Sequence, residues 1–223
     1  MDVIFWNGGI KWHMVSRYIG PYKVAHWIRK NGHAAQVIDF VEKFTEEQLY
    51  AATTKFITPC TKILAVSMTF MSMSNYKWSN GVWGKIPEHC LNIIKRIKKE
   101  YPTIKIVLGG YASDRVAGWG VVDATIMSYT TATEDVFLEY LEHLKISTPP
   151  PLGQLIYPNW GTEKRKHRML YDRARNPKYN IEEDDFKWTA QDVILRNEPL
   201  PLDVSRGCIF ACRFCQYPHL GKK

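Results

Sequence analysis

Along the first 145 residues, short runs of consecutive apolar residues alternate with longer stretches in which apolar residues recur every three or four positions. The first kind of run reads as a strand buried on both faces, the second as a helix with one buried stripe. "DVIFW" (2–6), "AQVIDF" (35–40), "TKILAVS" (61–67), "IKIVLGG" (104–110) and "DATIMS" (123–128) are the predicted strands. Between them lie predicted helices at 20–32, 45–57, 87–101 and 131–144. Pro21 and Pro87 suit first helical turns, and Asn31-Gly32 supplies a left-handed stop. Thr45 followed by Glu46 marks a helix start, and Thr131 with Glu134 has the spacing of a capping box. On the third helix the reading places Leu91, Ile94 and Ile97 on one face, with Lys95, Lys98 and Lys99 toward water. On the fourth, Phe137, Leu138, Leu141 and Leu144 form the stripe.

Strands alternating with helices, with strands apolar throughout, predict an α/β fold: a Rossmann- or flavodoxin-like, five-stranded parallel sheet covered on both faces. Ligands of such sheets bind beyond the carboxyl ends of the strands. The segments expected at that edge are 7–20, 68–84 and 109–120, all rich in Gly, Ser and aromatic residues.

The rhythm breaks at "STPPPLGQLIYPNWG" (147–161), where three prolines favour extended backbone. The expected organisation is therefore an α/β domain over 1–146, an irregular connector over 147–199 with a short helix near "KRKHRMLYDRAR" (164–175), and a separate start at 200–223. There "LPLDVS" (200–205) reads as a strand leading into a cysteine-rich loop. The acidic run "EEDD" (182–185) reads as a solvated face.

Composition narrows the class. No apolar run reaches the roughly 18 residues of a membrane span, and "MDVIFWNGGIKW" lacks the basic and apolar regions of an export signal. The expectation is a cytoplasmic protein without a membrane partner. The net charge of +8 is divided evenly between residues 1–150 and 151–223, which argues against a nucleic-acid footprint gathered on one face. Neither a G-x-S-x-G elbow nor a complete G-x-x-x-x-G-K-[ST] phosphate loop is present; "HLGKK" lacks the first glycine and the hydroxyl residue.

Of five cysteines, Cys60 and Cys90 are isolated and expected to be small buried hydrophobes. The other three form Cys208-x3-Cys212-x2-Cys215. Three thiolates on one loop can converge on a single centre. They fall one short of a structural zinc set, but on a four-iron cluster they leave one iron open to an outside ligand. Cys215-x3-His219 offers a fourth ligand, so a Cys3His zinc site in a small nucleic-acid-binding module, with Arg206, Arg213, Lys222 and Lys223 around it, is the alternative. Another is a ligand-binding α/β module with no chemistry of its own.

The stretch "LDVSRGCIFACRFC", with Phe214 just before the last cysteine, resembles the signature of radical S-adenosylmethionine (radical SAM) enzymes. The resemblance is tight over 200–223 and loose elsewhere. It implies a [4Fe–4S] cluster on Cys208, Cys212 and Cys215, with S-adenosylmethionine as cofactor on the open iron. Phe214 and Tyr217 would line the adenine side. Reductive cleavage of the sulfonium would then give methionine and a 5′-deoxyadenosyl radical, with an external electron donor as partner. The α/β domain resembles the cobalamin-binding-type domain that precedes the radical barrel in one branch of that superfamily, where methyl transfer is the commonest reaction. Ser67-Met68-Thr69 and Gly109-Gly110 match its S-x-T and G-G elements, so Ser67, Thr69, Gly109 and Gly110 would approach a corrin. At the D-x-H-x-x-G element, aligned on Gly20, this chain has Val15 and Arg17 in place of the aspartate and the cobalt-ligating histidine. Cobalamin without a protein histidine and an empty fold both stay open. In that family the (β/α) barrel continues well beyond the cluster loop, so the resemblance implies a second chain supplying the remaining strands, a truncation or a remnant. Activity of this chain alone is left unassigned, as are its catalytic residues.

Overall fold

A computed structural model of the protein describes residues 1–8, 17–68, 87–110, 121–126, 133–147, 178–180, 183, 185–194, 196 and 198–201, together with the backbone course of 154–155 and 169–171. Five parallel strands form the centre: β1 (Val3–Trp6), β2 (Ala35–Ile38), β3 (Ile63–Ser67), β4 (Lys105–Gly109) and β5 (Ala124–Ile126). Four helices connect or follow them: α1 (Ile19–Lys30), α2 (Glu46–Thr54), α3 (Glu88–Glu100) and α4 (Thr133–Lys145). The strand order β2-β1-β3-β4-β5 is that of a doubly wound, flavodoxin-like sheet. All four pairings are parallel, with Trp6 beside Val66 and Ser67 beside Gly109 at the carboxyl edge.

Strand alternation divides the core in two. Val3, Phe5, Val37, Ala65 and Val107 face α1 and α4, where Tyr22, Ile28, Phe137 and Leu141 meet them. Ile4, Trp6, Leu64, Val66 and Leu108 face α2 and α3, where Leu49, Ile93, Ile94 and Ile97 meet them. Period-2 alternation thus buries both faces, as crossover helices on both sides require. Trp6, fully buried, donates its indole N–H to Thr53 Oγ1 at 3.0 Å, so its one polar atom is satisfied.

Helix ends follow local chemistry. Thr45 and Gln48 close a reciprocal capping box on α2. Gly32 sits at φ +83 just past α1, in the left-handed conformation that stops a helix. The buried face of α3 is Cys90, Ile93, Ile94 and Ile97, an i, i+3, i+4, i+7 set. The expected face is thus corrected: Leu91 sits at its border, half-buried, and Ile93 takes the central place. Cys90 is buried as expected, whereas Cys60 is exposed, because it lies in the turn before β3 rather than on a packed face. Thr131, of the expected capping box on α4, lies outside the described residues.

The described parts of segment 147–199, expected to be a connector, build onto the sheet and its helices. β7 (Met169–Tyr171) pairs parallel with β5, and β6 (Gln154–Leu155) pairs antiparallel with β7, so the sheet has seven strands in the order β2-β1-β3-β4-β5-β7-β6. The short helix expected over 164–175 is corrected: its described part, 169–171, is strand, because the open edge of β5 offers unpaired ladder groups that a lone helical turn would not satisfy. Beyond β7 the chain crosses the α1/α4 face. The backbone N–H groups of Lys178 and Tyr179 both donate to Asp135 Oδ2 on α4, at 2.8 Å each. Tyr179 packs on Trp27, Phe186 on His26, and Trp188 on Tyr22. Asp185 accepts from Lys30 at 3.0 Å and pairs with His26 at 3.2 Å. These two bases hold its carboxyl down to about 2, so the acidic run is partly a docking point. No described helix is long and apolar enough to cross a membrane.

Candidate functional site

The strand order reverses between β1 and β3, so the crevice at the carboxyl edge opens beside Asn7 and Ser67, the residues following Trp6 and Val66. Ser67 lies level with Gly109, and the Met68 N–H donates to Gly109 O at 2.7 Å. Three of the expected corrin-facing residues are therefore together at one edge: Ser67, Gly109 and, next in chain, Gly110. A Cβ on Gly109 would meet only Ile126 O, at an ordinary 3.8 Å, so packing alone does not require glycine there. Gly110 is at φ +96, where glycine is needed. Thr69, Phe214, Tyr217, Cys208, Cys212, Cys215 and His219 lie outside the described residues, as do most of the loops 7–20, 68–84 and 109–120. Among the described residues no group of three His, Cys, Asp or Glu side chains could hold a metal ion.

Beside that crevice lies a buried polar cluster centred on Arg17. It sits in the β1–α1 connection with a side chain only 5% exposed. Its Nη1 donates to Asp39 Oδ2 at 2.7 Å, to Tyr22 Oη at 2.6 Å and to Asp192 O at 2.8 Å. Its Nη2 donates to Val193 O at 2.8 Å and Glu198 Oε2 at 2.9 Å, and Nε donates to Glu198 Oε1, making a bidentate fork. Tyr22 Oη donates to Asp39 Oδ2. Asn7 Nδ2 donates to Asp39 Oδ1 at 2.6 Å and to Tyr18 O at 3.1 Å, while Asn7 Oδ1 is buried without a partner.

The electrostatics follow from this geometry. Burial alone would lower the Arg17 pKa, but hydrogen bonds to Glu198 and Tyr22 outweigh it and keep the guanidinium firmly charged. Burial, then the Asp39 carboxylate, pushes the Tyr22 phenol well above its ordinary range. Asp39 itself is raised: burial exceeds what Tyr22, Arg17 and Asn7 return. Two of the three described non-glycine residues with left-handed backbone adjoin this arginine. Phe40 (φ 51) lies with its ring 5.9 Å from the guanidinium carbon, and Val193 (φ 51) turns its carbonyl onto Nη2. Such conformations cost of order 1–3 kcal/mol each and persist where surrounding contacts over-determine them.

This arrangement bears on the corrin expectation. Arg17 stands where the resemblance places a cobalt-ligating histidine, and a guanidinium has donors but no lone pair for a metal. With its N–H groups spent on its own chain, a histidine-ligated corrin does not fit this position.

The Arg17 cluster is the feature that sequence reasoning missed. Its partners Asp39 and Glu198 are 22 and 181 residues from it in the chain. The available signal was the aromatic set Tyr179, Phe186 and Trp188 inside an otherwise charged stretch, which marks a segment that packs rather than one that hangs in solvent. No protein-family model matches the chain, and no curated protein matches it.

Proposed function

We propose that residues 200–223 bind a [4Fe–4S] cluster through Cys208, Cys212 and Cys215, and that the chain works as a radical S-adenosylmethionine protein built on a flavodoxin-like α/β domain. The observation that carries this reading is the Cys-x3-Cys-x2-Cys spacing within "LDVSRGCIFACRFC". The donor set fits: three thiolates and no fourth cysteine within the loop leave one iron for the amino and carboxyl groups of S-adenosylmethionine. Bound there, the cluster supplies one electron for reductive cleavage of the sulfonium. Phe214 and Tyr217 flank that centre in sequence and are assigned the adenine side. An external one-electron donor is the partner this chemistry requires.

A parallel sheet of order β2-β1-β3-β4-β5 ahead of the cysteine segment supports the domain arrangement. Ser67, Gly109 and Gly110 are assigned the face toward a corrin held without a protein histidine, and cobalamin titration of the whole protein tests that part separately. Electron paramagnetic resonance tests the main proposal. The anaerobically reconstituted, reduced protein should show a cluster signal whose g-values move when S-adenosylmethionine is added. A cluster signal indifferent to S-adenosylmethionine would overturn the open-iron assignment. A colourless protein holding one zinc would instead favour the Cys3His reading with His219.

A further inference from the structure

The segment after Tyr179 is held to the α/β domain in two chemically different ways. In its first half, 178–188, the described residues are sealed by aromatic packing of Tyr179, Phe186 and Trp188 on α1 and by Asp135. Of its second half, the described residues 189–194, 196 and 198 begin along the outer edge of β2, the terminal strand of the sheet, and end on Arg17. At the β2 edge Gln191 Nε2 donates to Ala35 O at 2.8 Å, and Gln36 Nε2 donates to Gln191 O at 3.2 Å. Arg29 reaches Asp192 Oδ1 at 3.1 Å. This half brings little apolar seal: Val193 and Ile194 are both exposed. It ends on Arg17, which holds Asp192 O, Val193 O and both oxygens of Glu198.

We propose that the described residues of 189–198 form a latch, closed by Arg17 on Asp39 and Glu198, that covers the free edge of β2. An open sheet edge is a template for unwanted strand pairing, and a covering segment is one way to block it. The latch closes over buried charge rather than apolar area. Losing one ionic partner leaves the others buried and uncompensated, so the half should release as a unit while 178–188 stays packed. Glu198 precedes Cys208 by ten residues and is pinned beside Asp39, at the carboxyl edge where β2 ends.

Hydrogen–deuterium exchange on the full chain tests this, comparing wild type with Arg17→Met, Glu198→Gln and the double variant Arg17→Met/Glu198→Leu. Both single variants should exchange about tenfold faster or more over 189–198 and at the β2 edge, with 178–188 and α3 unchanged. Because the partners act through one another, the double variant should be no worse than the worse single one. Unchanged exchange over 189–198 in both single variants would overturn the proposal. So would acceleration spread equally over 178–188 and the central strands, or fully additive effects in the double variant. Iron content measured on the same samples separates the two ideas: wild type that binds no iron sinks the cluster reading and leaves the exchange result to decide the latch.

Discussion

Asp135→Ala tests whether the segment beyond β7 is anchored by specific polar contacts. Asp135 lies in the first turn of α4, almost fully buried, and accepts the N–H groups of Lys178 and Tyr179 at 2.8 Å each. Hydrogen bonds to a charged acceptor contribute about 1.5–3 kcal/mol each. A carboxylate at a helix N-terminus adds about 0.3–1 kcal/mol. Two effects oppose these gains. Burial raises the Asp135 pKa more than its hydrogen bonds lower it, so the ionised group bears a desolvation cost that alanine relieves. Lys178 is also exposed, so its freed N–H can return to water. The lower ends sum to about 3 kcal/mol, and the relieved desolvation brings the expected net loss to about 2 kcal/mol. Asp135→Asn keeps an acceptor and sheds the charge, and should cost less than about 1 kcal/mol. Urea unfolding monitored by far-ultraviolet circular dichroism reads both, provided the slope against denaturant is unchanged. An alanine variant as stable as wild type, or more stable, would show that desolvation wins and that these two bonds do not anchor the segment.

Acidification should weaken the fold through His33. Burial first, then the Lys145 ammonium 2.9 Å from Nδ1, lowers its pKa below 6.5. The unfolded chain therefore binds the proton more readily, so stability is fully present above pH 6.5 and falls as pH drops below it. The urea midpoint should decline over that window in wild type, and the decline should shrink in His33→Gln. Gly32→Ala should cost about 1 kcal/mol, because φ is +83 although a Cβ would meet nothing within 4 Å. Gly20→Ala, in α1 with equally open space, should be neutral or stabilising by up to about 1 kcal/mol by thermal unfolding. Cys60 should react with a thiol reagent in the native protein, whereas Cys90, buried and pushed up to about 12, should react only on unfolding. Equal labelling rates would contradict the packing of α3.

The central strands and helices were legible because each carries its own period: five apolar runs, four stripes, and end signals such as Thr45 and Gly32. The face of α3 was misread by one position, since Leu91 and Ile93 both satisfy a local helical count and only packing against β3 and β4 decides between them. β6 and β7 were not legible. Strands of two and three residues carry no periodicity, and the open edge of β5 creates them. The Arg17 cluster was hidden for a related reason, since contacts spanning 181 residues leave no local pattern. The cysteine motif is the reverse case: its spacing is a local pattern, and it lies outside the described residues.

The most direct test of the central claim is the iron and sulfide content of anaerobically reconstituted protein, wild type against Cys208→Ser, Cys212→Ser and Cys215→Ser. The account predicts about four irons and four sulfides per chain, a brown colour that bleaches on reduction, and loss of both in every serine variant. Serine variants that keep the iron and the colour would contradict it.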